Sequence, residues 1–354
     1  MKVSIIAFNN LKKSPYVNIY GDFCKKMGME YELVYPDRSG LEETADCPLI
    51  RIPWDPTKGK VKNFLQFRRG VIRHLNKNKR DFVIVLTTMP AVLLSEYLCL
   101  HYKGRFLVDI RDYTYEHVKP YYFLEKLAIK YAAMRVISSP GFQKFLPESE
   151  YGLCQNVSAA YAQGQGGDFS SEGKGIITIG YVGTVAYKKT CKQLFRLVAK
   201  DPRFRFYLYG DEVDGSDLTQ YLEKNPCDRI KMFGAYRPEQ KVEIMSGVDI
   251  LFNAYGNGNK LLDYALSNKL YDAFYMRIPL LTSPNTAMSE EAGVFSYDID
   301  LDNETSLDGL FNWYQSVDGQ AFDTYSKKYL KQVFAEQEVF YTKLSQVLTD
   351  RKTK

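Results

Sequence analysis

The sequence predicts an α/β protein made of two doubly wound domains, and three observations support this prediction. The chain has 354 residues, which is more than one hydrophobic core usually needs. Short β-rich runs alternate with helical patterns along the chain, as in parallel sheets whose strands are joined by right-handed helical crossovers. The alternation is broken by a polar, glycine-rich segment at 155–174, which is typical of a linker.

The first domain is predicted at 1–160, where short apolar runs alternate with apolar residues at helical spacing. Strands are predicted at Val3–Phe8, Tyr31–Tyr35, Phe82–Leu86, Arg105–Ile110 and Arg135–Ser139. Helices are predicted between them at Tyr16–Met27, Val61–Asn76, Ala91–His101 and Phe123–Ala133.

The alternation resumes after the linker, whose bounds we predict at 161–174. Strands are predicted at Gly175–Val182, Arg205–Tyr209, Arg229–Phe233, Asp249–Ala254, Pro279–Thr282 and Val294–Tyr297. They define a second domain at 175–325, followed by an amphipathic helix at 326–354 that is expected to pack back toward the first domain. Because doubly wound domains bind ligands outside the carboxyl ends of their strands, the two domains are expected to face each other across a cleft.

Cysteine and histidine usage argues against disulfides and metal sites. The six cysteines include no Cys-x-x-Cys pair, which favours reduced thiols in a cytoplasmic protein. The three histidines lie far apart in sequence, so no zinc site is predicted. No apolar run approaches the roughly 20 residues of a membrane-spanning helix, and no secretory signal is expected at the N-terminus.

The segment from Arg51 to Arg80 contains ten basic residues and a single acid, Asp55. Apolar residues interleave with the charges, which predicts an amphipathic helix with one basic face. Such a face attracts polyanions. An anionic membrane surface fits it better than nucleic acid does, since no nucleic-acid-binding motif appears. We assign this patch to Arg68, Arg69 and Arg73; an ordinary solvated helix face is the alternative.

The most informative run is Ser267–Phe274. Ser267 and Asn268 are good N-cap residues, and the helix that follows must stop before Pro279. Free amides and the positive dipole at a helix start favour a phosphate, and Lys269 adds a charge in the first turn. Asp272 follows on the same helix face, where its carboxylate is suited to the diol of a ribose. An ordinary capped helix with a Lys–Asp pair has the same spacing.

This run, followed by Arg277-Ile278-Pro279, resembles a block of the GT-B glycosyltransferases, especially those of the family-four type. Other runs resemble further blocks of that family in the same order. They are Ile179–Thr184 with Lys188, Phe206–Asp211, Phe233–Tyr236 with Val248–Ile250 and, in the first domain, Val108–Tyr113. The last is similar to a segment of enzymes that build bacterial surface polysaccharides.

The resemblance implies a GT-B fold with two Rossmann-like domains. It also implies transfer of a hexose from a UDP- or GDP-linked sugar to a glycan acceptor that is lipid-linked. The donor contacts that it implies are Gly183, Thr184, Lys188, Gly210, Tyr236, Asn268, Lys269 and Asp272. Fixed cations and amides would stabilise the leaving diphosphate, so neither a metal nor another cofactor is expected.

An inverting transfer needs a base that accepts the proton of the acceptor hydroxyl. Asp112 is the first candidate, because it follows a predicted strand, and His117 is the second. Asp112 has alternative roles as a helix cap or as a partner of Arg111. In a retaining reaction Asp112 would instead bind the sugar or the acceptor.

The chain also departs from the family pattern. Tyr264 stands where the first acid of the family's Glu-x7-Glu pair is expected, and Asp272 replaces the second. Thr184 replaces the usual phosphate-loop arginine, and Arg277 replaces a glycine. These departures leave the stereochemistry open. They also leave two alternatives, a non-catalytic subunit of the same fold and a sugar-nucleotide epimerase. The expected setting is surface or capsular polysaccharide synthesis at the inner face of the cell membrane.

Overall fold

The computed structural model describes residues 1–40, 42–164, 166–213, 215 and 217–349. It divides the chain into two compact units. Unit 1 comprises Met1–Gln155 together with the chain from Glu336 onward, and unit 2 comprises Asn156–Ala335.

Unit 1 is built on a parallel sheet in the order β3-β2-β1-β4-β5-β6-β7. The strands are β1 (Lys2–Ile6), β2 (Glu30–Asp37), β3 (Leu49–Pro53), β4 (Phe82–Leu86), β5 (Phe106–Ile110), β6 (Met134–Ile137) and β7 (Gly152–Leu153). The helices are α1 (Val17–Lys26), α2 (Lys60–Lys77), α3 (Thr88–His101) and α4 (Lys119–Tyr131). The central strands β4 and β5 are buried along their whole length, as expected for a parallel sheet covered on both faces.

The strands and helices predicted in the first half are confirmed, but the edge strands β3 and β7 were not predicted, and β7 has only two residues. The reason for β3 lies in its burial. Among its residues only Ile52 is buried, and its one neighbouring strand is β2. An edge strand of this kind lacks the continuous apolar run by which buried parallel strands are recognised.

Unit 2 contains a second parallel sheet, in the order β10-β9-β8-β11-β12-β13. Its strands are β8 (Ile177–Val182), β9 (Phe204–Tyr209), β10 (Ile230–Met232), β11 (Ile250–Asn253), β12 (Leu280–Thr282) and β13 (Ser296–Asp298). Its helices are α5 (Lys188–Lys200), α6 (Leu218–Lys224), α7 (Lys241–Ser246), α8 (Lys260–Tyr264), α9 (Asn268–Met276), α10 (Ala287–Ala292) and α11 (Ser306–Ser316). Each strand predicted in the second half is found, with shifts of a few residues at its ends.

The last described helix, α12, runs over Gly319–Thr349. Its first part adds Phe322 and Val333 to the core of unit 2, and its later part adds Phe340 and Leu344 to the core of unit 1. No helix in the described part of the chain combines the length and the apolar character that crossing a bilayer requires.

The glycine-rich segment lies against α9 within unit 2. The ring of Tyr161 stacks on that of Tyr275 with centroids 4.0 Å apart. A Cβ atom on Gly166 would lie 1.9 Å from the backbone oxygen of Tyr275, so only glycine permits this approach. The glycines that make this segment resemble a linker therefore also allow its backbone to pack closely against α9.

Candidate functional site

Helix α9 begins as its sequence predicts. Ser267 is the N-cap, and its hydroxyl oxygen accepts a hydrogen bond from the backbone amide of Lys269 at 3.1 Å. The same hydroxyl donates to Asn253 Oδ1 at 3.2 Å, at the end of β11. The cap thus fixes the start of α9 against the carboxyl end of a central strand, which is where doubly wound sheets bind ligands.

The other end of α9 explains why an arginine stands at 277. Arg277 adopts a left-handed conformation with φ of 56°, which favours glycine. Its buried side chain compensates, because Nε pairs with Asp323 at 2.9 Å and Nη1 donates to the carbonyl oxygen of Tyr275 at 3.0 Å. Arg277 therefore stabilises the helix end.

The Lys269 ammonium lies among aromatic rings beneath a glycine. Its Nζ atom is 4.9 Å from the ring centroid of Tyr181 and 5.4 Å from that of Tyr255, distances that suit cation–π attraction. A Cβ atom on Gly183 would lie 3.3 Å from this Nζ. Burial lowers the pKa of Lys269 to about 8; Asp272 opposes the shift, and Lys241 adds to it.

Two glycines close the carboxyl ends of the neighbouring strands β8 and β9. Gly183 and Gly210 have φ values of 126° and 141°. A Cβ atom on Gly210 would lie only 2.0 Å from the Gly183 carbonyl oxygen. Side chains are excluded from this turn, so the backbone itself lines the space above the sheet.

That space is a cavity of about 290 Å³. Its lining residues are Gly183, Thr184, Gly210, Asp211, Ala235, Tyr236, Pro238 and Lys241. The structure therefore brings together four of the residues predicted to contact the donor. It adds Lys241, the first residue of α7, which sequence reasoning missed because no local motif marks it.

Asp272 connects Lys241 to the glycine-rich segment. Its buried carboxylate pairs with Lys241 Nζ at 2.6 Å through Oδ2 and accepts a hydrogen bond from the Tyr161 hydroxyl at 2.6 Å through Oδ1. Asp272 therefore forms its salt bridge with Lys241 and not with Lys269, so the alternative of a simple Lys–Asp pair within α9 is not observed.

The two remaining predicted donor residues lie at helix starts. Lys188 is exposed, and its ammonium donates to the Gly215 carbonyl oxygen at 3.2 Å. Asn268 is the exposed first residue of α9. Neither is among the residues that line the cavity.

In unit 1, Arg111 and Asp112 directly follow β5, and Arg111 pairs with a different acid. The Arg111 guanidinium pairs with Asp109 at 2.8 Å, and Tyr20 donates to the same carboxylate at 2.8 Å. The alternative in which Asp112 pairs with Arg111 is thus not observed. Burial raises the pKa of Asp112 to about 6, and the nearby Glu116 adds to the shift.

Two further acids near Asp112 escaped the sequence analysis. Glu116 is buried, and one of its oxygens accepts the backbone amide of Thr114 at 2.5 Å. Glu125 on α4 is 1% exposed, and neither of its carboxylate oxygens has a hydrogen-bond partner among the described residues. Burial, reinforced by Glu116 and Asp112, raises the pKa of Glu125 to about 8. Nothing in the local pattern distinguishes it from an exposed helix residue.

These acids are not arranged around a metal. Within the described ranges, no group of three or more His, Cys, Asp or Glu side chains could hold a metal ion. His117, the second candidate base, is exposed and lies beside the ring of Tyr113, with centroids 6.1 Å apart.

The predicted basic patch is divided. Arg68 turns toward α3, where it donates to the Leu93 carbonyl oxygen at 2.7 Å and pairs with Glu96 at 2.8 Å. Arg69 and Arg73 are exposed on α2. The same helix exposes two apolar side chains, Val61 at 70% and Leu65 at 45%.

Comparisons with known proteins identify the fold. No protein-family model matches the chain, and no curated protein matches it in sequence. A sucrose-phosphate synthase from Thermosynechococcus elongatus is similar in structure, with a TM-score of 0.75 and 12% identity over 99% of this chain and 98% of that one. HepE from Anabaena, solved with UDP and glucose, gives a TM-score of 0.69 and 14% identity over 99% and 100% of the two chains.

WaaG, a glycosyltransferase involved in lipopolysaccharide biosynthesis, is also similar. It gives a TM-score of 0.69 and 12% identity, with 98% of this chain and 99% of that chain covered. Together with the two parallel sheets and their flanking helices, these similarities show that the chain has the GT-B fold.

Proposed function

We propose that the protein is a glycosyltransferase that moves a sugar from a UDP- or GDP-linked donor to a glycan acceptor without a metal ion. The observation that carries this proposal is the cation-bordered glycine cavity of unit 2, where Lys241 lines the space and Lys269 lies beneath Gly183. The similarity to HepE, which was solved with UDP and glucose, supports a nucleotide sugar as the ligand.

The chemistry follows from where charge develops. When the bond between the anomeric carbon and the diphosphate breaks, the leaving phosphates gain negative charge. Lys269, Lys241 and the backbone at Gly183 would stabilise that charge at fixed positions, which avoids reorganisation during the reaction. Asp272 would orient Lys241 and use its remaining lone pairs for the ribose hydroxyls. Lys188 and Asn268 would contribute at the helix starts.

Unit 1 would supply the acceptor side. In an inverting reaction Asp112 would take the proton of the acceptor hydroxyl, since a pKa of about 6 keeps it ionised at neutral pH yet more basic than an ordinary carboxylate. We place His117 second, because it is exposed. In a retaining reaction Asp112 would bind the sugar or the acceptor instead.

We further propose that the acceptor is lipid-linked and that the enzyme works peripherally at the inner face of the cell membrane, in polysaccharide synthesis. The support for a membrane surface is the exposed pair Arg69 and Arg73 on a helix that also exposes Val61 and Leu65. A basic helix with exposed apolar residues suits the surface of an anionic bilayer.

Calorimetric titration with UDP and GDP tests the donor site directly. We expect Lys269→Met and Lys241→Met to weaken nucleotide binding by about tenfold to a hundredfold each, the loss expected for a hydrogen bond to a charged group. The matched control is Lys231→Met, which removes an exposed lysine from β10 of the same unit. Equal binding by all four proteins would contradict the proposal.

A second assay separates transferase from the other functions of this fold. The protein is incubated with nucleotide sugars and a lipid-linked glycan. A transferase releases nucleoside diphosphate only when the acceptor is present. An epimerase changes the sugar without an acceptor, and a non-catalytic subunit does neither.

A further inference from the structure

Three neighbouring strands of unit 1 end in residues that meet around one guanidinium. Arg38 directly follows β2, Trp54 directly follows β3, and Phe8 comes two residues after β1. These strands are adjacent and parallel, in the order β3-β2-β1. The Arg38 Cζ atom lies 4.3 Å from the ring centroid of Trp54 and 4.5 Å from that of Phe8.

Arg38 differs from two other partly buried arginines of unit 1, which pair with acids. Arg111 pairs with Asp109, and Arg80 pairs with Glu32. Arg38 forms no salt bridge with any described residue, and its Nε atom is buried without a hydrogen-bond partner. Its backbone amide donates to Asn10 Oδ1 at 3.0 Å, but this bond does not involve the guanidinium.

Two acids close to Arg38 in sequence, Asp37 and Glu43, have other partners, and the exposed Glu42 forms no salt bridge with Arg38. Asp37 pairs with Arg51 and accepts hydrogen bonds from Asn10 at 3.2 Å and from the Gly40 amide at 3.0 Å. Glu43 accepts from Asn10 at 3.3 Å and from the Lys12 amide at 2.9 Å. The half-buried guanidinium of Arg38 therefore has no carboxylate partner among the described residues, while the two rings and the burial of Nε remove part of its hydration. An anionic ligand would compensate for that loss.

The surroundings favour an anion that is attached to a sugar. The rings of Phe8 and Trp54 are nearly perpendicular, at 83°, so together they cover only part of the guanidinium. The N–H groups that the rings leave open match the two oxygens of a carboxylate or a phosphate. Phe8, Trp54 and Phe64 are partly exposed and in mutual contact, with centroids 5.6 to 6.0 Å apart. Such apolar ring surface suits the C–H face of a sugar.

We propose that Arg38, packed against Phe8 and Trp54, binds an oxyanion, either a carboxylate or a phosphate, on a sugar of the acceptor. This inference rests on the proposed function and assigns the acceptor a negative charge.

The anion belongs to a sugar other than the one that reacts. Arg38 follows β2 and Asp112 follows β5, and these strands lie three steps apart in the sheet. At about 4.8 Å per step, the separation is roughly 14 Å, which is longer than a single sugar ring. The acceptor is therefore at least a disaccharide.

Fluorescence titration of the full chain tests this inference, because Trp54 is part of the proposed site and its emission changes when a ligand binds beside it. The chain has only two tryptophans, so Trp313→Phe leaves Trp54 as the single reporter. Three methyl glucosides that differ at C6 are compared, namely the neutral glucoside, the glucuronide and the 6-phosphate. Arg38→Met and Arg38→Lys are made in the same background, with Arg196→Met, an exposed arginine of α5, as the charge-matched control.

We expect at least one anionic glycoside to change Trp54 emission with an affinity tenfold or more above that of the neutral one. Arg38→Met should remove that preference, and Arg38→Lys should keep part of it, since lysine lacks the planar fork. If Arg38→Met weakens binding of the glucuronide alone, the oxyanion is a carboxylate. If it weakens binding of the 6-phosphate alone, the oxyanion is a phosphate. Binding that ignores the C6 charge, or that survives Arg38→Met, overturns the inference.

Titration of the same proteins with UDP distinguishes this failure from failure of the proposed function. If UDP binds but Arg38 has no effect on the glycosides, only the oxyanion site is wrong. If UDP and GDP do not bind, the proposed function fails, and the acceptor role assigned to Arg38 fails with it.

Discussion

Units 1 and 2 differ in which groups near the carboxyl edges of their parallel sheets have pKa values shifted toward neutrality. In unit 2 this group is a lysine, because burial lowers the pKa of Lys269 to about 8 although Asp272 opposes the shift. In unit 1 the buried cation Arg111 pairs with Asp109, and the groups shifted toward neutrality are acids. Burial raises the pKa of Asp112 to about 6 and that of Glu125 to about 8. Desolvation favours the neutral form in each case, so both edges hold groups that titrate near neutral pH.

This difference matches the two halves of a sugar transfer. A leaving diphosphate needs positive charge and backbone amides, whereas an incoming hydroxyl needs a proton acceptor. One architecture can meet both needs because residues in the loops beyond the strands set the chemistry, while the sheet itself stays the same. The predictions below test whether the acids of unit 1 and the cations of unit 2 have these separate tasks.

The largest effect is expected at Asp112. Asp112→Asn should lower kcat by about 10² to 10⁴, the usual contribution of a general base, while UDP binding stays unchanged. For the parent enzyme, kcat/KM should fall about tenfold per pH unit below pH 6, as Asp112 becomes protonated. Steady-state kinetics over pH 5 to 9 measures both.

The control for Asp112 is Asp22→Asn, which removes an exposed carboxylate from α1. Loss of folding is not expected in Asp112→Asn, since the pKa of this acid is raised and its charge is therefore unfavourable in the folded state. Full activity of Asp112→Asn would leave unit 1 without its assigned base.

The next effect concerns Glu125 and stability. Its pKa of about 8 lies above the ordinary value, so the folded state binds a proton that the unfolded state releases between about pH 5 and 8. The stabilising proton is present at low pH and is lost as the pH rises through the folded pKa. The free energy of unfolding should therefore fall with pH by up to about 1.4 kcal/mol per unit in this window.

Glu125→Gln replaces this carboxyl group with an amide that does not titrate, so its contribution to the pH dependence of stability is lost. Urea denaturation at pH 5, 6.5 and 8 should give a flatter profile for the variant than for the parent. The variant should also be the more stable protein at pH 8. Parallel profiles would mean that Glu125 is not held neutral by its surroundings.

The local signals of unit 2 were easier to read from sequence than the acids of unit 1. The start of α9 can be predicted from Ser267, because an N-cap side chain bonds to a backbone amide only two residues further along the chain. Gly183 and Gly210 follow strands, where a positive φ is common. Lys241 and Glu125 could not be predicted in this way. Lys241 is distinguished by its salt bridge to Asp272, which lies far along the chain, and Glu125 by the burial of its side chain. The edge strand β3 was missed for the related reason that one buried residue makes no pattern.

A smaller effect tests the cation of unit 2. A bound diphosphate favours the charged form of Lys269, so binding above pH 8 requires uptake of a proton. The UDP affinity of the parent should be constant below that pH and fall by up to about tenfold per unit above it. Calorimetry at pH 7, 8 and 9 should show this decline, whereas Lys269→Met should bind weakly with a flat profile. A decline of equal slope in the variant would assign the titration to another group.

The smallest effect is expected on the outer surface, where both units carry basic helices. Arg69→Gln with Arg73→Gln on α2 should reduce sedimentation with anionic vesicles by about tenfold at low salt, and by less as salt screens the charges. The matched pair on α5 is Lys189→Gln with Arg196→Gln, which removes the same charge from unit 2. If both pairs lose binding equally, net charge alone drives the attraction. Loss confined to the α2 pair would make unit 1, with its exposed Val61 and Leu65, the unit that contacts the membrane.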